Sequence, residues 1–492
     1  MAQLNKIQIS SKDWTTSKAD VLTVSMFKGG ALSSMGKAVD RRFGKIIAKA
    51  VKSGDFKGRS NETLLLFTGG SSARLLLIGL GERKELTVER VREAGGTMAK
   101  VIQSAGHETI ASEVPGLKKL GDAEATQAFV EGAVLGSYRF LNYKTVEKAA
   151  KIVKSLSIDE GGSRTGLKRG NVIAQAVCLA RDLAAHPSNV ATPSRLAKEA
   201  RRIARAGGMT CKVLNRDQFT KMGMGAFASV ARGADEPPKF ILMEYRGGKK
   251  GEKPFAFVGK GITFDSGGIS LKPGLGMGKM KGDMGGGASV IAAMQAISQL
   301  KPKLNVHVVC AATDNMPSGT AQRPGDVVTA MNGMTIEVDN TDAEGRLTLA
   351  DAIGYALSKN ATRIVDVATL TGAARIALGD GVSPVFGNDD DLISAVLKSS
   401  EVVGEPMWRL PLDSVTKRQN SSRVADLKNT GGRGGGSTTA AHFISDFAGE
   451  TPWVHIDIAA TSMLDGLRGW FPAGATGVPT RSLVDLAMRL GK

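Results

Sequence analysis

The chain has 492 residues, 42% hydrophobic and 23% charged, a globular composition with length for two or three full cores. Its formal net charge is +18: residues 1–170 hold 28 lysines and arginines against 17 acids (+11), and residues 171–492 hold 37 against 30 (+7). Cys178, Cys211 and Cys310 are widely spaced, which excludes a disulfide scaffold or a CxxC metal site and fits a reducing compartment.

The opening MAQLNKIQISSKDW carries neither an apolar signal core nor an arginine-rich leader. The most apolar helical window, Ala288 to Leu300, is short and holds serine and glutamine. No membrane span is expected, and a cytoplasmic location is the default. Residues 1–165 alternate short apolar runs with helical spacing. Strands are predicted at Val21 to Met26, Thr63 to Thr68, Leu75 to Ile78 and Glu108 to Glu113, and helices at Val88 to Ser104 and Ala123 to Phe140. This is an N-terminal α/β domain without a catalytic cluster, a scaffold, assembly surface or binding module. Gly79-Leu80-Gly81 begins like a dinucleotide fingerprint, but Lys84 stands at its third glycine, so that reading fails.

The basic, glycine-containing stretch from Lys151 to Asn171 marks a boundary, with a linker helix over residues 166–190 that includes Val172 to Ala185. Thr192 and Pro193 then supply an N-cap and a first helical residue for Ser194 to Ala206, opening a domain over 191–492. Apolar strands follow at Phe240 to Tyr245, Phe255 to Val258, Val306 to Ala312, Ile364 to Ala368 and Trp453 to Ile458. Helices alternate with them at Ala288 to Leu300, Leu349 to Ser358, Asp390 to Ser400, Ala440 to Phe447 and Ser482 to Leu490. The pattern predicts an α/β/α domain around a central, mostly parallel (mixed) sheet, which binds ligands at the carboxyl ends of its strands.

Chemistry-bearing residues gather at those ends. After Phe255 to Val258 comes Gly259 to Gly268 with Lys260 and Asp265, then Lys272, then Asp283 ahead of a glycine run. After Met334 to Val338 comes Asn340-Thr341-Asp342-Ala343-Glu344-Gly345-Arg346-Leu347. Alone, that last turn reads equally as a solvated turn with a capping acid. Set beside Asp265 and Asp283, four converging carboxylates would repel one another unless cations sat among them. Two divalent ions about 3.5–4 Å apart are the usual arrangement in hydrolases. Other chemistries fit poorly. Pro273 stands where a Walker loop needs its first glycine. There is no GxSxG elbow, and His107, His186, His307, His442 and His455 are scattered.

These motifs, with Asp314 to Gly319, Arg323 to Val327, Ala368 to Ala373 and Gly474 to Gly477, resemble the leucyl aminopeptidase family of dinuclear metallopeptidases. The resemblance is close from Ala180 to Lys492 and is only one of general layout before that. It implies that Lys260, Asp265, Asp283 and Glu344 hold one divalent ion, and that Asp265, Asp342 and Glu344 hold the other, with the Asp342 carbonyl also a ligand. The ions would be Mn²⁺ or Zn²⁺, with Mg²⁺ or Co²⁺ as alternatives. Lys272 would stabilise an oxyanion, and Arg346 would hold a bicarbonate. Met280, Asn340, Leu370 and Ala459 would line a pocket for the N-terminal side chain of a peptide substrate, leucine or another apolar residue. The family forms homohexamers of two stacked trimers, and some members bind DNA. Here that second function rests on the N-terminal charge excess alone, with no recognition helix or aromatic platform, and solubility explains the charge equally well. The glycine- and lysine-rich loop from Gly276 to Gly287 and the small, polar Ala460-Thr461-Ser462 depart from the family pattern and bear on substrate preference.

Overall fold

The structure, a computed structural model, describes residues 3–10, 16–69, 74–146 and 151–492, so the reading of residues 1–14 falls partly outside the described residues. Among the described residues, no helix is long and apolar enough to cross a membrane. The chain divides into two compact units, Met1–Cys178 with Gly466–Ala473, and Leu179–Asp465 with Gly474–Lys492. The division falls inside the helix Arg164–Ala185.

The first unit is built on β1 (Lys6–Ile9), β2 (Val21–Met26), β3 (Thr63–Phe67), β4 (Arg74–Gly79), β5 (Thr109–Ser112) and β6 (Ser155–Ile158), in the order β1-β6-β5-β2-β4-β3. All pairings are parallel except that of β3 with β4. Two strands escaped prediction, β1 and β6. Each has four residues, and β1 lies at a sheet edge with alternate side chains exposed. Helices Val88–Ser104 and Asp122–Ser137 supply the core, and Thr87 caps the first by accepting a hydrogen bond from Arg90 N. Trp470, stacked on Phe471 at 4.0 Å, is buried in the same core, which is why Gly466–Ala473 belongs to this unit. Nothing in local composition signals that excursion.

Strands of the second unit are β7 (Thr210–Leu214), β8 (Lys239–Arg246), β9 (Phe255–Asp265), β10 (Asn305–Asn315), β11 (Val327–Thr329) and β12 (Thr335–Glu337). They continue as β13 (Arg363–Ala368), β14 (Ser383–Gly387), β15 (Met407–Arg409), β16 (Leu427–Lys428), β17 (Trp453–Asp457), β18 (Met463–Leu464) and β19 (Gly474–Ala475). Eight of them form the main sheet, ordered β15-β14-β17-β13-β9-β10-β8-β7. The centre, β10-β9-β13-β17, is parallel, as is β14 with β15. β8 with β10, β7 with β8 and β14 with β17 are antiparallel, so the sheet is mixed. Its central strands are apolar on both faces, with Ala256, Phe257, Val258, Ile364, Val365, Trp453 and Val454 all buried. β7, β14 and β15 lie toward the edges and were not predicted, being partly exposed, interrupted by Pro384, and three residues long respectively.

Two boundaries differ from expectation in a way that matters for function. β9 does not stop at Val258 but runs to Asp265, so Lys260 sits within a strand instead of a loop. Its glycines read as loop residues, but they answer a packing demand. A Cβ on Gly259 would lie 2.7 Å from Gly287 Cα, and one on Gly286 would lie 2.0 Å from Val367 O. The helix Gly285–Leu300 thus presses its first turn against β9 and β13, which accounts for the glycine run that opens it. The helix expected from Leu349 begins at Glu344, so Glu344 and Arg346 stand in its first turn.

Candidate metal centre and active site

Three segments bring the candidate residues together: β9 with its C-terminal end, the stretch that leads to Asp283, and the Asn340 to Leu347 segment. The last follows β12 of the separate three-stranded sheet β11-β12-β16 and not, as expected, a strand of the main sheet. Lys260 projects from β9 and is 3% exposed. Its Nζ lies 2.7 Å from Asp283 Oδ2 and 2.8 Å from Glu344 Oε1, and donates to Thr369 O at 3.1 Å. Lys272 Nζ lies 2.8 Å from Asp265 Oδ2 and also pairs with Asp342 Oδ1. Oxygen atoms of Asp265, Asp342 and Glu344 all fall within 4.8 Å of one another.

Other side chains hold this geometry. Asn315 Nδ2 donates to Asp265 Oδ1 at 2.8 Å and to Thr341 O at 3.0 Å, tying β10 to the turn. Thr369 Oγ1 donates to Asp283 Oδ1 at 2.7 Å. Asn429, fully buried, clamps the turn. Its Nδ2 donates to Asn340 O at 2.7 Å and Ala343 O at 3.3 Å, while its Oδ1 accepts from Asp339 N at 2.8 Å and Asn340 N at 3.2 Å. Its carbonyl accepts Arg346 Nη1 at 2.7 Å. Such partners orient candidate ligands as much as the ligands' own torsions do. Sequence reasoning missed Asn429, because a lone asparagine in a glycine-rich stretch looks like any loop residue. Asn315 lay inside a recognised motif without an assigned part.

Electrostatics make the cluster unusual. Burial, and next the charge of Asp265, push Glu344 upward, and burial pushes Asp283 upward against the opposing pull of Lys260. Burial disfavours the Lys260 ammonium too, yet Asp283, Glu344 and Asp265 together hold its value well above that of a free lysine. Asp265 and Asp342 raise Lys272 in the same way. Burial draws Arg346 down to about 10, against the pull of Glu344 and Asp457. Two ammonium groups therefore face four carboxylates, and the cluster remains short of positive charge.

The donor set fits divalent cations. Glu344 Oε2 is buried with no hydrogen-bond partner, an acceptor that desolvation would make costly without a cation. Carboxylate oxygens with one amine suit Mn²⁺, Mg²⁺ or Zn²⁺. Arg346 Nε is likewise buried without a partner, a donor available to a small anion.

Gly345 is part of the same design. A Cβ there would lie 2.7–2.8 Å from Lys260 Cε, Cδ and Nζ. Gly345→Ala is expected to push Lys260 out of the cluster and weaken metal binding by on the order of 10–100-fold. Metal titration showing unaltered affinity would contradict this.

The four expected pocket residues are all half-buried. Leu370 N and Ala459 N both donate to Asp457 Oδ1 at 3.1 Å, so these two come together directly. Met280 and Asn340 reach the cluster from other segments. The Met280 carbonyl accepts from Asp283 N at 3.2 Å, and Asn340 Oδ1 accepts from Asp342 N at 2.8 Å.

Two family models match the chain, the cytosol aminopeptidase family catalytic domain over residues 178–484 and its N-terminal domain over 23–147. A probable cytosol aminopeptidase of Alkaliphilus metalliredigens is 40% identical over 499 residues, spanning 99% of this chain and 100% of the relative. One of Solibacter usitatus is 42% identical over 487 residues, spanning 98% and 99%. Among solved structures, a tomato leucine aminopeptidase mutant has a TM-score of 0.88 at 33% identity, covering 99% of this chain and 97% of that one. The bottromycin maturation enzyme BotP in complex with Mn has a TM-score of 0.86 at 34% identity, covering 96% and 100%.

Proposed function

The chain belongs to the cytosol aminopeptidase family, a family of metal-dependent aminopeptidases, and on that premise we propose that it releases N-terminal residues, preferably leucine and other apolar ones, from peptides. In this reading Lys260, Asp265, Asp283 and Glu344 hold one divalent ion. Asp265, Glu344 and Asp342, through carboxylate and carbonyl, hold the other. Mn²⁺ or Zn²⁺ is the preferred occupant, with Mg²⁺ and Co²⁺ as alternatives. When bound, the ions lower the pKa of a shared water and polarise the scissile carbonyl. The observation that carries the reading is the convergence of Asp265, Asp342 and Glu344 oxygens within 4.8 Å of one another, with Glu344 Oε2 buried and unpartnered and Asp283 joined to Glu344 through Lys260.

Each side chain then has a part. Lys260 serves as a neutral amine ligand, so loading the site expels its proton. Lys272 stays charged and stabilises negative charge developing on the substrate carbonyl oxygen. Arg346, braced by the Asn429 carbonyl, keeps its buried Nε for a bicarbonate ion. Met280, Asn340, Leu370 and Ala459 receive the first side chain of the substrate.

Chelation is the direct test. Leucine-p-nitroanilide turnover is expected to fall by at least about 100-fold in EDTA and to return on adding back Mn²⁺, Zn²⁺, Mg²⁺ or Co²⁺ to differing extents. Full turnover in chelator would overturn the reading.

A further inference from the structure

β13 and β17 run parallel and end level, with Ala368 opposite Asp457. Beyond this point the chain leaves in two directions, through Thr369 to Thr371 and through Ile458 to Ala460. Asp457 is fully buried and, among the described residues, forms no ion pair within 4.0 Å. A buried carboxylate without a salt-bridge partner must be met by hydrogen-bond donors. Four are supplied, and all come from the two departing segments. Asp457 Oδ1 accepts from Leu370 N at 3.1 Å, Ala459 N at 3.1 Å and Thr371 N at 3.5 Å, while Oδ2 accepts from Thr371 Oγ1 at 2.7 Å.

One oxygen shared by two nitrogens sets a limit on their separation. Leu370 N and Ala459 N lie no farther apart than 6.2 Å, twice their common 3.1 Å distance. The same short segment also reaches the candidate metal ligands, since Thr369 O accepts Lys260 Nζ and Thr369 Oγ1 donates to Asp283 Oδ1. We propose that Asp457 is a positioning residue that fixes the spacing between Leu370 and Ala459, and through it the range of N-terminal side chains the pocket accepts. This rests on the aminopeptidase reading and on the pocket residues named there. Asp457 lies outside the candidate ligand set and in this reading acts through the backbone of both walls. Its charge also faces Arg346 and His455, so its acceptor geometry and its charge are separable contributions.

Two substitutions separate them. Asp457→Ala removes the shared acceptor. Asp457→Asn keeps one oxygen for Leu370 N and Ala459 N and can turn its amide toward the Thr371 hydroxyl. The measurement is kcat/KM on leucine, methionine, phenylalanine and alanine p-nitroanilides in the Mn²⁺-loaded enzyme, with bound metal and Tm recorded alongside. Asp457→Ala is expected to reduce the preference for leucine over alanine by about tenfold, mainly through KM, with bound metal unchanged. Asp457→Asn is expected to hold that preference within about threefold of the unaltered enzyme even where kcat falls. An equal loss on all four substrates with preference intact would overturn the inference. If Asp457→Ala does not fold, a changed preference in Asp457→Asn overturns it instead. No turnover by the unaltered enzyme on any substrate would overturn the aminopeptidase reading and this inference together. Turnover with preference unmoved in both variants would overturn the inference alone.

Discussion

Glu344→Ala is expected to lower kcat/KM for leucine-p-nitroanilide by about 10³-fold or more and to strip metal from the protein. Glu344 stands in the first turn of its helix, fully buried, with one oxygen 2.8 Å from Lys260 Nζ and the other without a partner. In the proposed arrangement it is shared by both ions, so its removal opens both sites at once. Metal assistance contributes several kcal/mol to such reactions, and each 1.36 kcal/mol is tenfold in rate. The alanine variant also leaves a cavity, so Glu344→Gln, of equal size, serves as the control. Retention of more than about a tenth of the turnover in Glu344→Gln, with metal still bound by elemental analysis, would show that Glu344 is not a shared ligand.

Lys272→Ala should behave differently, with kcat down by about 10²–10³-fold, the range for removing one oxyanion-stabilising donor, and metal content unchanged. The competing account is that Lys272 only neutralises its neighbours, since it pairs with Asp265 and Asp342. That account predicts altered metal affinity and an unaffected kcat in the loaded enzyme. Removing a cation from beside two carboxylates would, if anything, strengthen their attraction for a divalent ion. A saturating-metal kcat for Lys272→Ala within about threefold of the unaltered enzyme would therefore reject the oxyanion role.

The two-unit α/β organisation and the mixed central sheet were legible from apolar runs alternating with helical spacing, because the central strands are buried on both faces. Edge strands such as β1, β7 and β15 were not, since short, partly exposed strands lose the periodic signal. From sequence β9 reads as ending at Val258 because Gly259 and Gly261 break its apolar run, although close packing demands them. Glu344 and Arg346 read as turn residues because a helix opening with glutamate, glycine and arginine lacks an apolar stripe. The residues at the centre of the cluster were found because charges at strand ends stand out. The residues that brace them were not. Asn429 and Asp457 act through hydrogen bonds to backbone about 90 positions away, and such bonds leave no trace in spacing. Asp457 carried a faint signal, as a lone acid closing the apolar run Trp453–Asp457.

The central claim is that two divalent ions sit between β9, the turn before Asp283 and the Asn340 to Leu347 segment. Anomalous diffraction from Mn²⁺-loaded crystals tests it most directly. The account predicts two peaks per chain, about 3.5–4 Å apart, with Asp265 and Glu344 contacting both. It further predicts Lys260 and Asp283 on one ion and Asp342 on the other. A single peak, or peaks that leave Glu344 Oε2 without a partner, would contradict it.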